Sequence, residues 1–345
     1  MELESIILNV NNSPMCMPIK NKQFINYLIK SINFNYSVKG HDQTFPAPQP
    51  VSIEKKDFLK LKQYKYYTGL KLDGVRFLMY FIKDKNNKNQ CIIINRALNF
   101  YNIIINAEDT LYNGTLLDGE IIYDTESKQW DFVVHDALII CGNKINKLSH
   151  SVRLNDTKLC IQSFVNYNNT STLNIKIKKF YPFEEFSDFI ENVYNKSNDN
   201  DGIIFMPENL PVISGTQYSM LKWKPENKHT FDFLLKEVDL GLEAYVFHLG
   251  NLNIFANIHS KYQQGKEFIE KSKQLYNYKN ECIVECTFDK NKNNFTPILV
   301  RTDKTHPNSL RTIERTLFNI TENIHIEDFM SIEVSKKQES NVSIE

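Results

Sequence analysis

The chain has 345 residues, of which 41% are hydrophobic and 24% charged, so its composition is that of a folded protein rather than a disordered one. Its 41 basic residues balance its 41 acidic residues, which excludes a strongly basic overall field. Any phosphate or nucleic acid must therefore be bound by a local cluster of cations. The length predicts two domains, or one large domain with a smaller partner.

Two absences narrow the class of protein further. The N-terminal residues MELESIILNVNN lack the basic leader and apolar region of a signal peptide, and no apolar run approaches the roughly 18 residues of a membrane span. The six cysteines, at positions 16, 91, 141, 160, 282 and 286, form no CxxC pair, so reduced core thiols are favoured over a zinc site. We therefore expect an intracellular protein that is not associated with a membrane.

The first part of the chain alternates short helices with strands. A helix is expected in KNKQFINYLIKSINF, and three prolines in FPAPQP predict an extended segment before a short helix that opens at Ser52. From Tyr64 to about Ile140, short β-branched and aromatic runs separated by Asn, Lys and Gly turns predict antiparallel hairpins. Strands are also expected in KSNDNDGIIFMP and YSMLKWKP, after a helix in PFEEFSDFIENVYNK.

From Phe231 onward the pattern of short alternating strands begins again. The runs FDFLLKEVDLGLEAYVFHLG, LNIFANI, ECIVECTFD and FTPILVRTD are compatible with a small β-barrel. We therefore predict an α+β protein with a first domain over residues 1–231 and a barrel domain over 232–310. A C-terminal helix over about 311–333 is expected to pack back on the first domain, and residues 334–345 form a polar tail.

Charged residues interrupt several strands that have no structural need for them. They are Lys71, Glu120, Asp201, the pair Lys222 and Lys224, and the segment from Arg301 to Lys304. Taken singly, such residues usually face solvent, and the Asp-Gly dipeptides beside three of them are typical of hairpin turns. In LKLDG and LLDGE, however, apolar residues lead up to the polar group, which favours strand ends that point charges into one cleft.

These residue types fit a phosphoryl- or nucleotidyl-transfer site. A lysine amine is nucleophilic only when deprotonated, and desolvation beside other cations favours that form. Lys222 and Lys224 are two residues apart on an expected strand, so both would face one side and bind a phosphate there. Asp201, with Glu120 as a second candidate, offers the hard oxygen ligands that Mg²⁺ requires.

The order of these motifs resembles that of the covalent nucleotidyltransferases, the superfamily of DNA ligases, RNA ligases and mRNA capping guanylyltransferases. KLDGVR has the Lys-x-Asp-Gly-x-Arg order of the nucleophile motif, and it is followed in order by LLDGEIIYD, FVVHDAL, DGIIF, LKWKP and RTDKTHPN. Lys-x-Asp-Gly alone is weakly specific, whereas six ordered motifs span nearly the whole chain. The closing RTDKTHPN, with FPAPQPVSI, HDALIICG and HTFDFLL, is similar to capping enzymes rather than to ligases. ECIVECTFD and ERTLFNITENIHIEDFM resemble the small, stand-alone Chlorella-virus type in particular.

The resemblance implies both a fold and a reaction. The fold would be a nucleotidyltransferase domain of ligase-type, ATP-grasp-like antiparallel sheets with helices, followed by an OB-fold lid domain. The reaction would pass GMP from GTP to Lys71 and then to the 5′-diphosphate end of an RNA, with Mg²⁺ or Mn²⁺ as cofactor. Two alternatives stay open, an ATP-dependent polynucleotide ligase that uses the same lysine and an inactive scaffold that binds RNA through its barrel domain.

The resemblance also implies roles for individual residues that bind the sugar, the phosphates and the metal. Arg76 and Glu120 would bind the ribose, and Asp201 would hold the metal. Lys222 and Lys224 would contact the α-phosphate of GTP. Arg301 and Lys304, on the lid domain, would grip the β- and γ-phosphates, which aligns the leaving group and excludes water.

Three further positions concern the guanine base. Lys178, or its neighbour Lys179, matches the lysine that reads the guanine edge, and Asn99 falls where the family often offers a hydroxyl. His135 departs from the family, which usually stacks an aromatic side chain on guanine at this position. An imidazole stacks more weakly, so a lower or pH-sensitive affinity for the base is expected.

The chain has no room for the other capping activities. It contains no His-Cys-x₅-Arg phosphatase motif, and the roughly 70 residues before Lys71 are too few for a separate catalytic domain. We therefore expect the RNA triphosphatase and the cap methyltransferase to be separate proteins, with RNA polymerase as a further candidate partner. The expected location is the nucleus for a cellular protein, and the nucleus or a cytoplasmic virus factory for a viral one.

Overall fold

The computed structural model describes residues 9–10, 13–14, 16–36, 45–124, 127–165, 173–197, 200–238, 241–257, 281–290, 293–301, 304 and 306–342. The chain divides into two compact units. The first contains Leu3–Trp223 and Ile326–Glu345, and the second contains Lys224–His325. The first segment of the first unit thus ends eight residues before the domain limit expected at residue 231. The same unit also includes the C-terminal segment Ile326–Glu345.

The first unit is built on two mixed sheets. Its strands, in chain order, are β1 Asn9–Val10, β2 Ser13–Pro14, β3 Met17–Pro18, β4 Pro48–Ser52, β5 Tyr66–Leu72, β6 Val75–Lys83, β7 Asn89–Asn95, β8 Phe100–Ile103, β9 Asn113–Asp124, β10 Gln129–Ile140, β11 Asn143–Lys144, β12 Asn174–Ile177, β13 Tyr181–Pro182, β14 Asn200–Pro207 and β15 Gly215–Trp223. The eight-stranded sheet has the order β11-β10-β9-β6-β7-β8-β3, with β12 parallel to β10. The five-stranded sheet has the order β13-β5-β14-β15-β4, with β4 parallel to β15.

The chain also contains six α-helices in the described residues, of which α5, Leu310–Glu322, belongs to the second unit. They are α1 Lys22–Tyr36, α2 Phe58–Gln63, α3 His150–Phe164, α4 Phe186–Phe189, α5 Leu310–Glu322 and α6 Ile326–Val342; shorter helical turns cover Lys55–Asp57, Asp109–Tyr112, Phe183–Glu185 and Glu226–Lys228, and a wider π-turn follows α4 at Ile190–Tyr194. The remaining strand pairs of the two sheets are antiparallel, so the predicted α+β class is confirmed.

The central strand β6 is apolar on both faces because both are covered. Phe77, Met79 and Phe81 point to one side, into a core that also contains residues of α3. Leu78 and Tyr80 point to the other side, into a core that contains residues of α1. The alternation of side chains along a strand distributes one continuous apolar run between two cores.

The second unit contains one antiparallel sheet with the order β18-β17-β16-β19-β20. Its strands are β16 Thr230–Val238, β17 Gly241–His248, β18 Asn251–Asn257, β19 Glu281–Asp289 and β20 Asn294–Val300. Phe231, Phe233 and Val284 form its core together with Ile313 and Ile320 of α5. Within the described residues β18 and β20 are edges that do not pair with each other, so the structure contains the strands of the predicted barrel as an open sheet.

The C-terminal segment differs from the single helix and polar tail expected from the sequence. Asn323, in the left-handed conformation with φ 49°, ends α5 and separates it from α6. The helix α5 packs in the second unit, whereas α6 inserts Phe329 among the rings of Phe58, Phe186, Phe205 and Trp223 in the first. The buried Glu333 of α6 accepts a hydrogen bond from the backbone N–H of Ser187 at 3.0 Å. With these contacts the segment is helical to Val342, although a polar tail was expected from residue 334 onward.

Two expectations from the sequence concern membrane spans and the state of the cysteines. None of the helices found there combines the length and the apolarity that crossing a membrane requires. All six cysteines are free thiols, and all except the half-buried Cys141 are buried. The prediction of reduced core cysteines is consistent with this arrangement.

Candidate active site

Lys71 lies one residue before the end of β5, opposite an irregularity in β14. Leu70 pairs with Ile203 and Leu72 with Asn200, so two residues of β14, Asp201 and Gly202, lie opposite the single residue Lys71 of β5. This is a β-bulge, which redirects side chains at the edge of a regular ladder. The bulge turns the carboxylate of Asp201 to the Nζ atom of Lys71, and the two form a salt bridge. Their side chains are 20% and 13% exposed, so the amine is held in a mostly enclosed position.

The Asp73-Gly74 step that follows Lys71 brings the chain into close contact with β9. A Cβ atom on Gly74 would lie 2.6 Å from a methyl carbon of Ile122 and 2.8 Å from the carbonyl oxygen of Ile121. Glycine is therefore the residue that lets β6 begin directly beside β9. This close approach sets the distance between Lys71 on one sheet and the acidic residues of β9 on the other.

Arg76, predicted to bind the ribose, is held by an acidic residue that the sequence did not single out. Its Nε donates to Oδ1 of Asp118 at 2.8 Å, a second bond runs from the guanidinium to Oδ2, and both side chains are buried. Nε2 of His135 lies 3.2 Å from Oδ1 of the same aspartate. Burial opposes ionisation of Asp118, but Arg76 and His135 outweigh it and hold the pKa of this carboxyl well below its usual range.

Glu120 and Lys178 lie next to this group. Glu120 pairs with Arg76 across β6 and β9, and its Oε2 is buried without a hydrogen-bond partner among the described residues. Lys178 is 7% exposed, and its pKa is lowered by burial and by Lys71 and Arg76, while Glu120 opposes the shift. Lys179, in contrast, is exposed. Of the two lysines considered for the guanine edge, Lys178 is thus the one enclosed with the site residues.

A cavity of about 470 Å³ borders this lysine. Its lining includes Lys178, the rings of Phe180 and Tyr67, and the buried His150. The backbone N–H of Lys178 donates to the carbonyl of Val134 at 2.8 Å, which fixes the segment beside the strand that carries His135. An aromatic wall with one buried cation has the composition expected of a small-molecule pocket.

Lys222 lies in β15, two strands from Lys71. It pairs with Ile204 of β14 and with Ser52 of β4, and its carbonyl accepts a hydrogen bond from Ile53 at 2.9 Å. The strand ends at Trp223, so Lys224 follows it. Lys224 thus lies one residue beyond the strand, directly before Pro225 and the turn Glu226–Lys228.

Asn99 is the predicted residue for which the structure gives the weakest connection to the site. It is exposed in the turn between β7 and β8, where its backbone N–H donates to the side chain of Asn95 at 2.8 Å. Arg96, in the same turn, was not predicted. It lies close enough to Arg76, Asp118 and Glu120 to experience their charges, so this turn adds a cation to the site. The order INRAL after an apolar strand was the available signal.

Arg301 and Lys304 come together in the second unit on a shared aspartate. NH1 of Arg301 lies 3.1 Å from Oδ1 of Asp232, and Nζ of Lys304 lies 3.3 Å from Oδ2. Asn308 donates to the same carboxylate at 3.2 Å, and NH1 of Arg301 also lies 3.4 Å from Glu285. Asp232, in HTFDFLL, organises the predicted cations but was itself missed from the sequence.

The oxygen ligands of the first unit determine what kind of metal could bind there. Within the described ranges no group of three or more His, Cys, Asp or Glu side chains is placed to hold a metal. Asp201 and Glu120 offer two carboxylates, and Glu120 has an unpartnered buried oxygen. This fits Mg²⁺, which is commonly held by one or two carboxylates together with substrate phosphates and waters.

The chemistry available to the first unit follows from these positions. Lys71 offers an amine in a mostly enclosed position, and the buried Lys178, whose pKa is lowered by burial and by the charges of Lys71 and Arg76, supplies positive charge near it. Such cations stabilise negative charge that develops on a phosphate in a transition state. The arrangement can therefore support attack of the amine on a nucleotide phosphate.

Comparisons with known proteins show which family the chain is similar to. The family model for the catalytic domain of mRNA capping enzymes matches residues 9–226, and the model for their C-terminal domain matches residues 220–330. The mRNA-capping enzyme subunit alpha of Schizosaccharomyces pombe is 30% identical over 328 residues, 83% of this chain and 79% of that protein. The mRNA-capping enzyme of Danio rerio is 27% identical over 287 residues, 78% of this chain and 46% of that protein. Among solved structures, the ATP-dependent DNA ligase of bacteriophage T7 matches with TM-score 0.39 and 12% identity, over 77% of this chain and 98% of that one.

Proposed function

This chain belongs to the mRNA capping enzyme family, and we propose that it is a GTP–RNA guanylyltransferase that transfers GMP to RNA through Lys71. The family match supports capping over the ligase alternative. The observation that carries the assignment of the nucleophile is the salt bridge of Lys71 with Asp201 at the end of β5, close to Arg76 and Lys178. An amine held in an enclosed, cationic position is suited to attack a phosphate.

In the first step the lone pair of the Lys71 amine attacks the α-phosphorus of GTP. The amine must leave Asp201 and lose a proton before its lone pair is available. A P–N bond forms, the P–O bond to the β-phosphate breaks, and pyrophosphate leaves with that electron pair. Arg301 and Lys304 bind the β- and γ-phosphates in this proposal, because both cations are partly exposed and can exchange Asp232 for a phosphate.

In the second step an oxygen of the terminal phosphate of a 5′-diphosphate RNA attacks the same phosphorus. The new P–O bond forms as the P–N bond breaks, and the amine of Lys71 leaves and takes up a proton. Lys222 stabilises the α-phosphate in both steps. Two transfers through one covalent intermediate reuse a single phosphate site.

In this proposal the guanine base, the ribose and the metal ion bind to side chains of the first unit. Lys178 reads the guanine edge, and Glu120 binds a ribose hydroxyl with the carboxylate oxygen that has no partner among the described residues. Asp201 and Glu120 would also hold Mg²⁺ or Mn²⁺. When bound, the metal supplies charge neutralisation on the phosphates.

The partners and the location follow from the place of this reaction in cap formation. A triphosphatase must first produce the 5′-diphosphate end, and a methyltransferase acts on the product. We place these activities on separate proteins, with RNA polymerase as a further candidate partner, and we place the enzyme where transcripts are made, in the nucleus or a virus factory.

The decisive experiment labels the protein with each of the four NTPs, in the presence of Mg²⁺ or Mn²⁺, and then adds 5′-diphosphate RNA. We expect a covalent adduct with GTP, and its transfer to the RNA. The adduct should be absent from Lys71→Ala, because no other group replaces the amine, and it should persist in Lys85→Ala, whose lysine lies in an exposed turn. Labelling by ATP would indicate a ligase instead, and the absence of any adduct would leave the scaffold alternative.

A further inference from the structure

The segment that carries Lys178 runs between the two sheets of the first unit and is fixed at both ends. At one end, the backbone N–H of Lys178 donates to the carbonyl of Val134 in β10 of the eight-stranded sheet, at 2.8 Å. At the other end, Tyr181 pairs with Thr68 of β5 in the five-stranded sheet. This segment therefore connects β10 with β5.

Phe180, within this segment, contacts the strand that carries the nucleophile. A Cβ atom on Gly69 would lie 2.9 Å from Cδ1 of the Phe180 ring, so the glycine leaves room for the ring to approach β5. Gly69 precedes Lys71 by two residues, and the two positions lie on the same face of the strand. The Nζ atom of Lys178 lies 5.7 Å from the centroid of the same ring. One phenyl ring thus contacts both the strand of the nucleophile and the amine assigned to the guanine edge.

The Phe180 ring favours the charged form of Lys178. Burial lowers the pKa of Lys178, as do Lys71 and Arg76, while Glu120 opposes the shift. The face of an aromatic ring attracts a cation, so the ring offsets part of the cost of burial. A charged lysine amine only donates hydrogen bonds, and guanine offers it the acceptor O6 where adenine has an amino group. The charged form is therefore the one that distinguishes the two bases.

His150 contacts the other residue assigned to the guanine base. His135 is the extra residue of a bulge in β10, because Val134 and Asp136 pair with consecutive residues of β9. The imidazole of His150 forms a hydrogen bond with the backbone of His135. Its Nε2 atom has no hydrogen-bond partner among the described residues, so the bond is made by Nδ1. A side chain of α3 thus fixes the backbone at a point where the ladder of the sheet is interrupted.

His150 also contacts Phe180. The two ring centroids are 4.7 Å apart, and the rings are nearly perpendicular, at 87°. His150 is 1% exposed, and burial lowers its pKa, so the imidazole is neutral at physiological pH. A buried imidazole with an unpartnered nitrogen costs free energy that a phenyl ring of similar size would avoid. Packing alone therefore does not account for a histidine at this position, whereas the bond to the backbone of His135 does.

We propose that Phe180 and His150 are positioning residues for the guanine base. Phe180 holds the amine of Lys178 toward O6 of the base. His150 holds the backbone of His135, so that the side chain of His135 can stack on the base plane. The proposal rests on the proposed function, in which Lys178 reads the guanine edge. The two residues support different contacts, so their loss should affect the recognition of different features of the nucleotide.

The first test removes the ring of Phe180. Phe180→Leu should raise the KM for GTP in adduct formation about tenfold, because Lys178 loses its cation–π contact. The rate of adduct formation at saturating GTP should match that of the wild type, since Lys71 is unchanged. Phe180→Tyr is the matched control, because it keeps the ring, and the cavity of about 470 Å³ that Phe180 lines can accept the hydroxyl. This variant should match the wild type in both quantities.

A second nucleotide separates the role of Phe180 from that of His150. The triphosphate of 2-aminopurine riboside lacks O6 but has the same ring system as GTP, so it can stack without offering the acceptor. In Phe180→Leu the KM for this analogue should equal that of the wild type. His150→Phe keeps a ring against Phe180 but loses the bond to His135, and it should raise the KM about threefold for GTP and the analogue alike.

Three results would contradict the proposal. The first is a KM for GTP in Phe180→Leu within about twofold of the wild type. The second is an equal rise for GTP and the analogue in that variant, which would indicate a general disturbance of the site. The third is an unchanged KM in His150→Phe, which would show that the histidine only packs. Adduct formation at saturating GTP verifies that each variant is folded. Failure of the proposed function is distinct, because the wild-type protein itself would then form no GMP adduct.

Discussion

The two units neutralise their cationic groups in different ways. In the first unit Arg76 and Asp118 are both buried, and the guanidinium makes two bonds to the carboxylate. In the second unit Arg301 and Lys304 share the carboxylate of Asp232, Arg301 also lies 3.4 Å from Glu285, and the two cationic side chains are 23% and 37% exposed. One arrangement is a closed pair, and in the other the cations keep access to solvent.

This difference indicates which cluster is fixed and which can exchange its partner. A buried pair cannot lose one member without leaving an uncompensated charge in the core, so Arg76 and Asp118 form a permanent wall of the site. Arg301 and Lys304 reach solvent, which offsets part of what they lose when they leave Asp232 for a phosphate. An enzyme that binds GTP and releases pyrophosphate in each cycle requires both properties.

The largest expected effect comes from Asp118→Asn. The change leaves Arg76 buried without a counter-charge and should lower the free energy of unfolding by about 3–5 kcal/mol. The adduct with GMP should be lost as well, because Arg76 and His135 lose the group that positions them. Urea unfolding and labelling with GTP measure these two effects.

Asp232→Asn is the matched substitution in the second unit; Asp232 is itself buried, but its cationic partners reach solvent, so the change should cost less than Asp118→Asn. The pH dependence sharpens the contrast. The pKa of Asp118 is depressed in the folded state, so its contribution to stability is complete above the unfolded value of about 3.9 and is lost as the pH falls below it. Asp118→Asn should therefore show a shallower loss of stability below about pH 4 than the wild type. Equal costs for the two substitutions would contradict the comparison.

The next effect concerns the second unit. Arg301→Ala with Lys304→Ala should slow formation of the GMP adduct about a hundredfold, because two charges that would stabilise the leaving pyrophosphate are removed. The unfolding free energy should change by less than about 1 kcal/mol, since both side chains are partly exposed. Rapid-quench labelling and urea unfolding separate the two. A large loss of stability with normal labelling would reverse the roles assigned to the two clusters.

The sequence predicted the features that depend on local residue patterns and on the order of motifs. Short β-branched runs predicted the strands of both units, and the motif order identified Lys71, Arg76, Glu120, Lys178 and Asp201, which the fold brings together. Asp118 was missed although LLDGE was quoted, because Asp-Gly indicated a turn and its real partner, Arg76, is 42 residues away. An aspartate with apolar residues on both sides of its Asp-Gly step is the signal that could have identified a buried ion pair.

The boundaries of the two units depend on tertiary contacts, which no local sequence pattern contains. Asn323 was a recognisable helix end, but only the packing of Phe329 against four distant rings assigns α6 to the first unit. The bulge at Asp201 likewise follows from the pairing of β14 with β5, not from the order DGIIF. Aspartates that organise cations, such as Asp232, differ from solvent-facing ones only in their tertiary partners.

The smallest expected effect is that of His135→Phe, which tests whether the fixed wall of the site also sets base affinity. The change supplies the aromatic ring that the family usually carries, so the KM for GTP should fall about threefold at neutral pH. It also removes the contact of the imidazole with Asp118, but the carboxylate keeps both bonds from Arg76, so the loss of stability should stay below about 1 kcal/mol. His135→Gln, which has neither the ring nor a titratable group, is the control and should raise the KM. Adduct formation over a range of GTP concentrations at neutral pH measures the effect, and a KM that does not fall in His135→Phe and does not rise in His135→Gln would show that this position does not contact the base.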